Sequence, residues 1–327
     1  MIKINILDQS PVIENITPSE AINQTIDLAK FGDENGYHRF WIAEHHNTRS
    51  FASASPEILI PIIASNTKNI RIGSGGVLIS HYSPFKIAEQ FNLLQSVFQD
   101  RIDLGIGRAP GGDRNIIKVL RTSSEDSFAK TDELLNYFIN SSKNKFYKEV
   151  IASPSGVEIP DIWILGTSPD SAMYAARKGL KYTFGSFISD EHMLQCFQLY
   201  YQNFQPSVFL KEPYLNLALF VICGETESDA IRMSKSSEYW LVHTFLKGKN
   251  IPFPDEETAI NYKFSFEEKM IIEHRRKSAI IGDVNTVCQK LQALAKKYAI
   301  HEFTIVTITA NHVERKKSYE LIAKNLK

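Results

Sequence analysis

The chain has 327 residues, 43% of them hydrophobic, and its 37 Lys and Arg residues balance 37 Asp and Glu residues. That composition is globular with ample core, and the even charge argues against nucleic acid or an anionic membrane as the main partner. The three cysteines, Cys196, Cys223 and Cys288, are far apart and make neither a disulfide framework nor a metal spacing, so a reducing cytoplasm is expected. Met1 leads directly into a strand-like alternation with no leader pattern, and no apolar run is long enough to span a bilayer.

In chain order, Ile2–Leu7 predicts a first strand. Thr17, Pro18 and Glu20 supply an N-cap, a first-turn proline and a capping-box acid for a helix that stops at Gly36. Tyr37–Ala43 is a second strand. Ser55, Pro56 and Glu57 open a helix to about Asn66. Ile70–Ile79 is strand three, and Ser83-Pro84 caps a helix to about Gln99. Arg101–Ile106 is strand four, followed by the loop Gly107–Asp113 and a helix over about Glu125–Asn140. The polar stretch 141–158 predicts an insertion. Asp161–Leu165 is strand five, with a helix from Ser168-Pro169 to Lys178. Leu180–Phe184 is strand six, with a helix over about Asp190–Phe204. Tyr214–Cys223 is strand seven, and Thr226 with Asp229 reads as a second capping box for a helix to about Leu246. Residues 247–277 lose clear periodicity and read as a second insertion. Val284–Tyr298 is a helix, His301–Ile308 strand eight, and Glu314–Leu326 a closing helix.

Strands alternating with helices demand parallel pairing with right-handed crossovers, and eight units favour a closed (β/α)8 TIM barrel over a doubly wound sheet. A single domain over 1–327, with insertions after strands four and seven, is expected. Loops that follow strands lie on the catalytic face of such a barrel, so 247–277 is a candidate lid.

Three stretches carry chemistry. In Arg39 to Asn47 an apolar strand runs into Glu44, His45 and His46, proton-moving groups where a barrel keeps its working residues. Neighbouring side chains of a strand point to opposite faces, which argues against both histidines holding one metal ion. Trp163 to Ser171 is a strand ending in Gly166 and Thr167, with Ser168-Pro169 opening a helix. Its first-turn N–H groups, hydroxyls and dipole favour an anion such as phosphate. Arg108, at the end of strand four, could add a bidentate phosphate contact. Gly105 and Gly107 begin a dinucleotide fingerprint that Pro110 breaks, so a Rossmann reading is rejected. Gly73, Gly75 and Gly76 inside strand three predict a bulge or a flat ligand against the backbone. No Gly-x-Ser-x-Gly elbow is present.

In this order, Trp41 to His46, Arg71 to Val77, Ala88 to Gln95, Arg101 to Arg108 and His301 to Thr309 with Ser318 to Ile322 resemble the bacterial luciferase-like flavin monooxygenases, from Met1 to the C-terminus. The resemblance implies a TIM barrel that binds reduced FMN, or the deazaflavin F420 in some branches. It implies oxygen activation through a C4a-peroxyflavin that oxygenates a small organic substrate. His45 matches the histidine that assists flavin–oxygen chemistry, with Glu44 beside it. Arg108, Ser168 and Ser171 match phosphate-binding positions, and Ser74, Gly75 and Gly76 match the segment under the flavin ring, where the family carries a non-proline cis peptide. His81 and Tyr82 occupy candidate substrate positions, although Ser80 to Pro84 departs from the Pro-Asn-His-Ser-Pro of many relatives. Gly107 stands where luciferase has a reactive cysteine, and Thr167 where it has an acid. Further implications are a separate NAD(P)H:flavin reductase, since no nicotinamide fingerprint is present, and a homodimer. An F420-dependent dehydrogenase and a non-catalytic flavin-binding protein are the alternatives.

Overall fold

The computed structural model describes residues 2–120, 126–139 and 149–326. Among the described residues there are nine strands: β1 (Lys3–Asp8), β2 (Arg39–Ile42), β3 (Arg71–Leu78), β4 (Ile102–Gly107), β5 (Asp161–Gly166), β6 (Lys181–Gly185), β7 (Leu215–Gly224), β8 (Ile280–Asp283) and β9 (Glu302–Val306). All pair in parallel. The order β6-β5-β4-β3-β2-β1-β9-β7 closes through β6–β7 into an eight-stranded barrel with helices outside, as expected for a TIM barrel. β8 lies outside that ring and pairs only with Val221–Gly224, where β7 overshoots its neighbours. The sequence reading had no strand there, because four residues are too few to show a period.

Local signals account for most boundaries. Thr17 and Glu20 form the reciprocal capping box at the helix Pro18–Glu34. Thr226 caps Glu227–Leu241 by accepting from Asp229 N, but the Asp229 carboxylate accepts the Thr226 hydroxyl instead of reaching back to backbone. The second capping box is therefore half formed, since Asp is one methylene shorter than the Glu the motif needs. Ser83 makes no side-chain cap, and Pro84 alone starts its helix. Of the first insertion, residues 141–148 lie outside the described residues, as do the end residues 125 and 140 of the preceding expected helix.

The second insertion is more ordered than its sequence suggests. A π-helical turn, Val242–Leu246, extends the helix Glu227–Leu241, and the helices Glu256–Asn261 and Phe266–Arg276 follow. Asp255 caps the first, and a full Ser265–Glu268 capping box starts the second. Dense charge hid their sparse apolar positions, Ala259 and Ile272. The segment is pinned to the barrel's carboxyl rim. Phe253 N donates to Val12 O (2.9 Å), Glu14 N to Phe253 O (2.7 Å) and Trp240 Nε1 to Ser50 Oγ (2.7 Å).

Inside the amino end of the barrel lies an ionic floor. Arg39, 2% exposed, donates to Asp103 Oδ1 (2.8 Å), Asp161 Oδ2 (3.0 Å) and Glu302 Oε2 (2.8 Å). Trp41 Nε1 and Asn5 Nδ2 fill further acceptors on Asp103 and Glu302. Burial would raise Glu302, but the Arg39 guanidinium and the Asn5 and Tyr214 donors hold it down to about 2. Among the described residues no helix is long and apolar enough to cross a membrane.

Candidate active site

The carboxyl ends of the strands open into a cavity of about 1310 Å³. Drug-sized sites run to roughly 300–1,000 Å³, so there is room for two molecules side by side. Leu7, Trp41 and Leu165 form part of its base, and Trp240 and Phe245, on the helix after β7 and its π-helical extension, form part of its roof with Phe253 of the second insertion. His45, His46, Arg108, Gly166, Thr167, Ser168, Gly75 and Gly76 all line it.

The adjacent residues after β2 divide as a strand end demands. Glu44, 4% exposed, turns away from His45. It accepts from Leu78 N (2.9 Å), Tyr82 Oη (2.7 Å) and His46 Nε2 (2.8 Å). Glu44 therefore positions His46 rather than His45, and fixes the His46 proton on Nε2. Tyr82 is held in turn by Lys130, whose ammonium donates to the Ser80 and Tyr82 carbonyls at 3.0 and 3.2 Å. Tyr82 and His81 sit at the edge of the cavity, and neither belongs to its lining. His81 Nε2 instead bonds the Pro110 carbonyl at 2.9 Å.

His45 packs at a tilt against Phe51 with ring centroids 4.4 Å apart. Burial, reinforced by His46, lowers its pKa to about 4, so its imidazole is neutral at neutral pH. The ordinary value that made it an acid–base candidate does not apply here. Gln9 Nε2, 3.5 Å from His45 Nε2, is a donor there, which assigns the ring proton to Nδ1. That Nδ1 is buried and has no partner.

On the opposite rim, Arg108 Nη2 donates to Ser168 Oγ at 3.1 Å, and its guanidinium stacks 4.0 Å above the Phe128 ring. Its Nε is buried without a partner, and burial lowers its pKa. Ser168 caps the helix Pro169–Lys178. Ser171 does not reach the cavity. It is fully buried, donates to Ser168 O (2.6 Å) and fills the space that a Cβ on Gly166 would occupy. Close packing, not a ligand, thus requires glycine at 166.

The glycines of β3 need the same revision. The bulge is present, with a register shift between Gly75 and Val77, and the Gly75–Gly76 peptide is cis. A Cβ on Gly73 would press the Asp103 carbonyl, one on Gly75 would meet Leu7 Cδ1 at 2.5 Å, and one on Gly76 would meet Gly105 O at 2.7 Å. Protein neighbours exclude side chains here, and the bare backbone of 75–76 is left as cavity wall. Ser74 points away from the cavity and exchanges hydrogen bonds with Gly105 O and N (2.9 and 3.0 Å).

The sequence reading missed Gln9, Phe51, Lys130 and the roof aromatics. Gln9 was findable, because it directly follows a strand end. Lys130 gave no signal, because a lysine on an amphipathic helix reads as solvated.

Comparison with known proteins bears on what this arrangement does. The model of the luciferase-like monooxygenase family matches residues 3–301. The N-acetyl-S-alkylcysteine monooxygenase of Bacillus subtilis (strain 168) is 33% identical over 330 residues, covering 99% of this chain and 98% of that protein. The crystal structure of apo-MsnO8 superposes with a TM-score of 0.89 at 32% identity, covering 99% and 97% of the two chains. The oxygenating constituent of 3,6-diketocamphane monooxygenase from Pseudomonas putida, solved in complex with FMN, has a TM-score of 0.73 at 17% identity over 100% and 98% of the chains, a likeness of fold alone.

Proposed function

The chain belongs to the luciferase-like monooxygenase family, and from that premise we propose that it is a reduced-FMN- and O2-dependent monooxygenase acting on a small organic substrate. The observation that carries the reading is the pairing of Arg108 with Ser168 at the start of the helix Pro169–Lys178, on the rim of an apolar cavity large enough for cofactor and substrate together.

The residues present fit FMN. The Arg108 fork is only partly used, and with Thr167, Ser168 and the Asp170 N–H it would hold the phosphate. The Gly75–Gly76 backbone and Leu165 would lie against the ring. When bound, the reduced flavin supplies the two electrons that divide dioxygen between substrate and water. His45 offers its Nδ1 proton as a hydrogen-bond donor at the site of oxygen chemistry, without adding charge. His46, fixed by Glu44, is left with Nδ1 as an acceptor on the same side of the barrel. The roof residue Trp240, packed on Phe253, would exclude water.

A separate reductase would deliver the reduced flavin. Ile58, Ile62, Leu93 and Val97, exposed on the consecutive helices Pro56–Ser65 and Pro84–Val97, would form a homodimer face. Glutamate at Ile58 and Leu93 should then leave a folded monomer in sedimentation analysis.

The function is tested by titrating anaerobically reduced FMN into the protein and then mixing with oxygen. Saturable binding, followed by a return of the oxidised-flavin absorbance that lags free flavin by seconds, supports the reading. No binding of FMN together with binding of F420 would replace it with a deazaflavin-dependent oxidoreductase. Binding with oxidation at the free-flavin rate, unchanged by any substrate, would indicate a flavin-binding protein without catalysis.

A further inference from the structure

Two consecutive arginines end the roof helix Phe266–Arg276, and their surroundings differ sharply. Arg276 donates from Nε to Glu238 Oε1 at 2.7 Å, so its charge is matched, and the pair ties this helix to the one carrying Trp240. Arg275 donates from Nη1 to Ile188 O (2.7 Å) and from Nη2 to Phe187 O (2.8 Å), both neutral carbonyls of the loop after β6. Among the described residues it forms no ion pair, and Asp190 acts on it only through space. Burial lowers its pKa, the mark of a cation short of compensation. Its side chain lines the cavity, and part of its donor fork remains open.

The apolar side of the same chamber is a continuous aromatic wall. Phe253 stacks on Trp240 with centroids 4.7 Å apart, and Phe51 meets both at 5.6 Å and His45 at 4.4 Å. The Trp240 N–H is already satisfied by Ser50, so the wall offers ring surface and no unfilled donor. Such a wall takes an apolar body and discriminates little by hydrogen bonding. Specificity then falls to the uncompensated guanidinium, which suits a planar carboxylate.

We propose that this half of the cavity is the substrate subsite and that the substrate is an organic carboxylate with an apolar, ring-sized body. The body lies on Phe51 and Trp240, which Phe253 backs, and Arg275 takes the carboxylate. The inference rests on the reading of the cavity as an oxygenation site, but it can be tested without flavin. The rival source of an anion at Arg275 is the cofactor's own phosphate, because Thr167 and Phe187 both pack around Gly185.

The test is calorimetric titration of flavin-free protein with 4-phenylbutyrate and with its neutral isostere 4-phenylbutyramide, in wild type, Arg275→Gln and Trp240→Ala. FMN and riboflavin titrations run in parallel. The carboxylate should bind wild type roughly 10- to 100-fold more tightly than the amide, the scale of a charge-assisted bidentate contact. Arg275→Gln should erase that preference while leaving the amide within about 2-fold and the melting temperature unchanged. Trp240→Ala should weaken both probes alike. No carboxylate preference in wild type would overturn the proposal, as would an equal loss of both probes in Arg275→Gln, which would mark Arg275 as a latch only. Selective weakening of FMN relative to riboflavin in Arg275→Gln, with the carboxylate preference intact, would assign the anion to the cofactor. A carboxylate preference with no FMN binding would leave this subsite standing and remove the proposed cofactor instead.

Discussion

At the amino ends of the strands Arg39 is enclosed by Asp103, Asp161 and Glu302; at the carboxyl ends Arg108 and Arg275 meet a serine hydroxyl and backbone carbonyls and form no ion pair among the described residues. The floor neutralises its buried cation, as Asp8 neutralises Arg315 at the other end, whereas Arg108 and Arg275 are half-buried and left open. A buried charge with its partners in place is part of the fold, and removing one partner strands the others. A buried charge left open is poised for something that arrives from outside. The histidines follow the same division: Glu44 holds His46, whereas His45 Nδ1 is buried with no partner.

The sharpest way to break this comparison is at the floor. Arg39→Met should cost about 3–5 kcal/mol, because buried Glu302 would lose its guanidinium partner and Asp103 would keep only Arg71, and urea denaturation measures it. A loss under about 1 kcal/mol would mean that water already serves those carboxylates. At the open end His45→Ala should lower kcat/KM by about 10²–10⁴-fold with an unchanged melting temperature; full turnover would remove His45 from the chemistry. The pH dependence separates the two ends again. Glu302, ordinarily near 4.5 and held at about 2, contributes stability that is complete above 4.5 and lost as the pH falls toward 2. Glu302→Gln should flatten that limb of a pH–stability curve. His45, lowered to about 4, stays neutral through the usual histidine range. Its protonation should therefore appear in the activity profile near pH 4, and an acid limb near 6.5 that vanished in His45→Ala would contradict the burial argument. The smallest expected effect belongs to Tyr82→Phe. It removes one of three Glu44 partners and should cost about 1 kcal/mol and less than about 10-fold in kcat/KM.

The barrel was legible because its signals are local and repeated. Apolar runs, prolines at first turns and capping residues recur unit by unit, as at Thr17–Glu20 and Ser168-Pro169. The residues that gather at the cavity were legible from their places at strand ends, as with His45, Arg108 and Thr167. Partners across the barrel were not, because periodicity carries no long-range pairing. Nothing near Arg39 in sequence points to Glu302, and nothing near Trp240 points to Phe51. Glycine was the least specific signal. Gly73 and Gly76 suggested a bulge or an approaching ligand, and Gly166 a ligand; the bulge is present, and at each of the three a protein atom occupies the space of a side chain. Ser74 and Ser171 likewise serve the fold, with their hydroxyls bonded to Gly105 and Ser168. Residues 247–277 failed for a different reason: charged helices that bury only one or two side chains show no stripe to read.

The central claim, that the open guanidinium at the carboxyl end marks the cofactor's phosphate, is tested most directly by comparing reduced FMN with reduced riboflavin on wild type and Arg108→Gln under anaerobic conditions. The account predicts that wild type prefers FMN, and that Arg108→Gln loses about 10- to 100-fold in FMN affinity while riboflavin affinity and the melting temperature hold. Equal affinity of wild type for the two flavins, or a parallel loss of both in the variant, would contradict it.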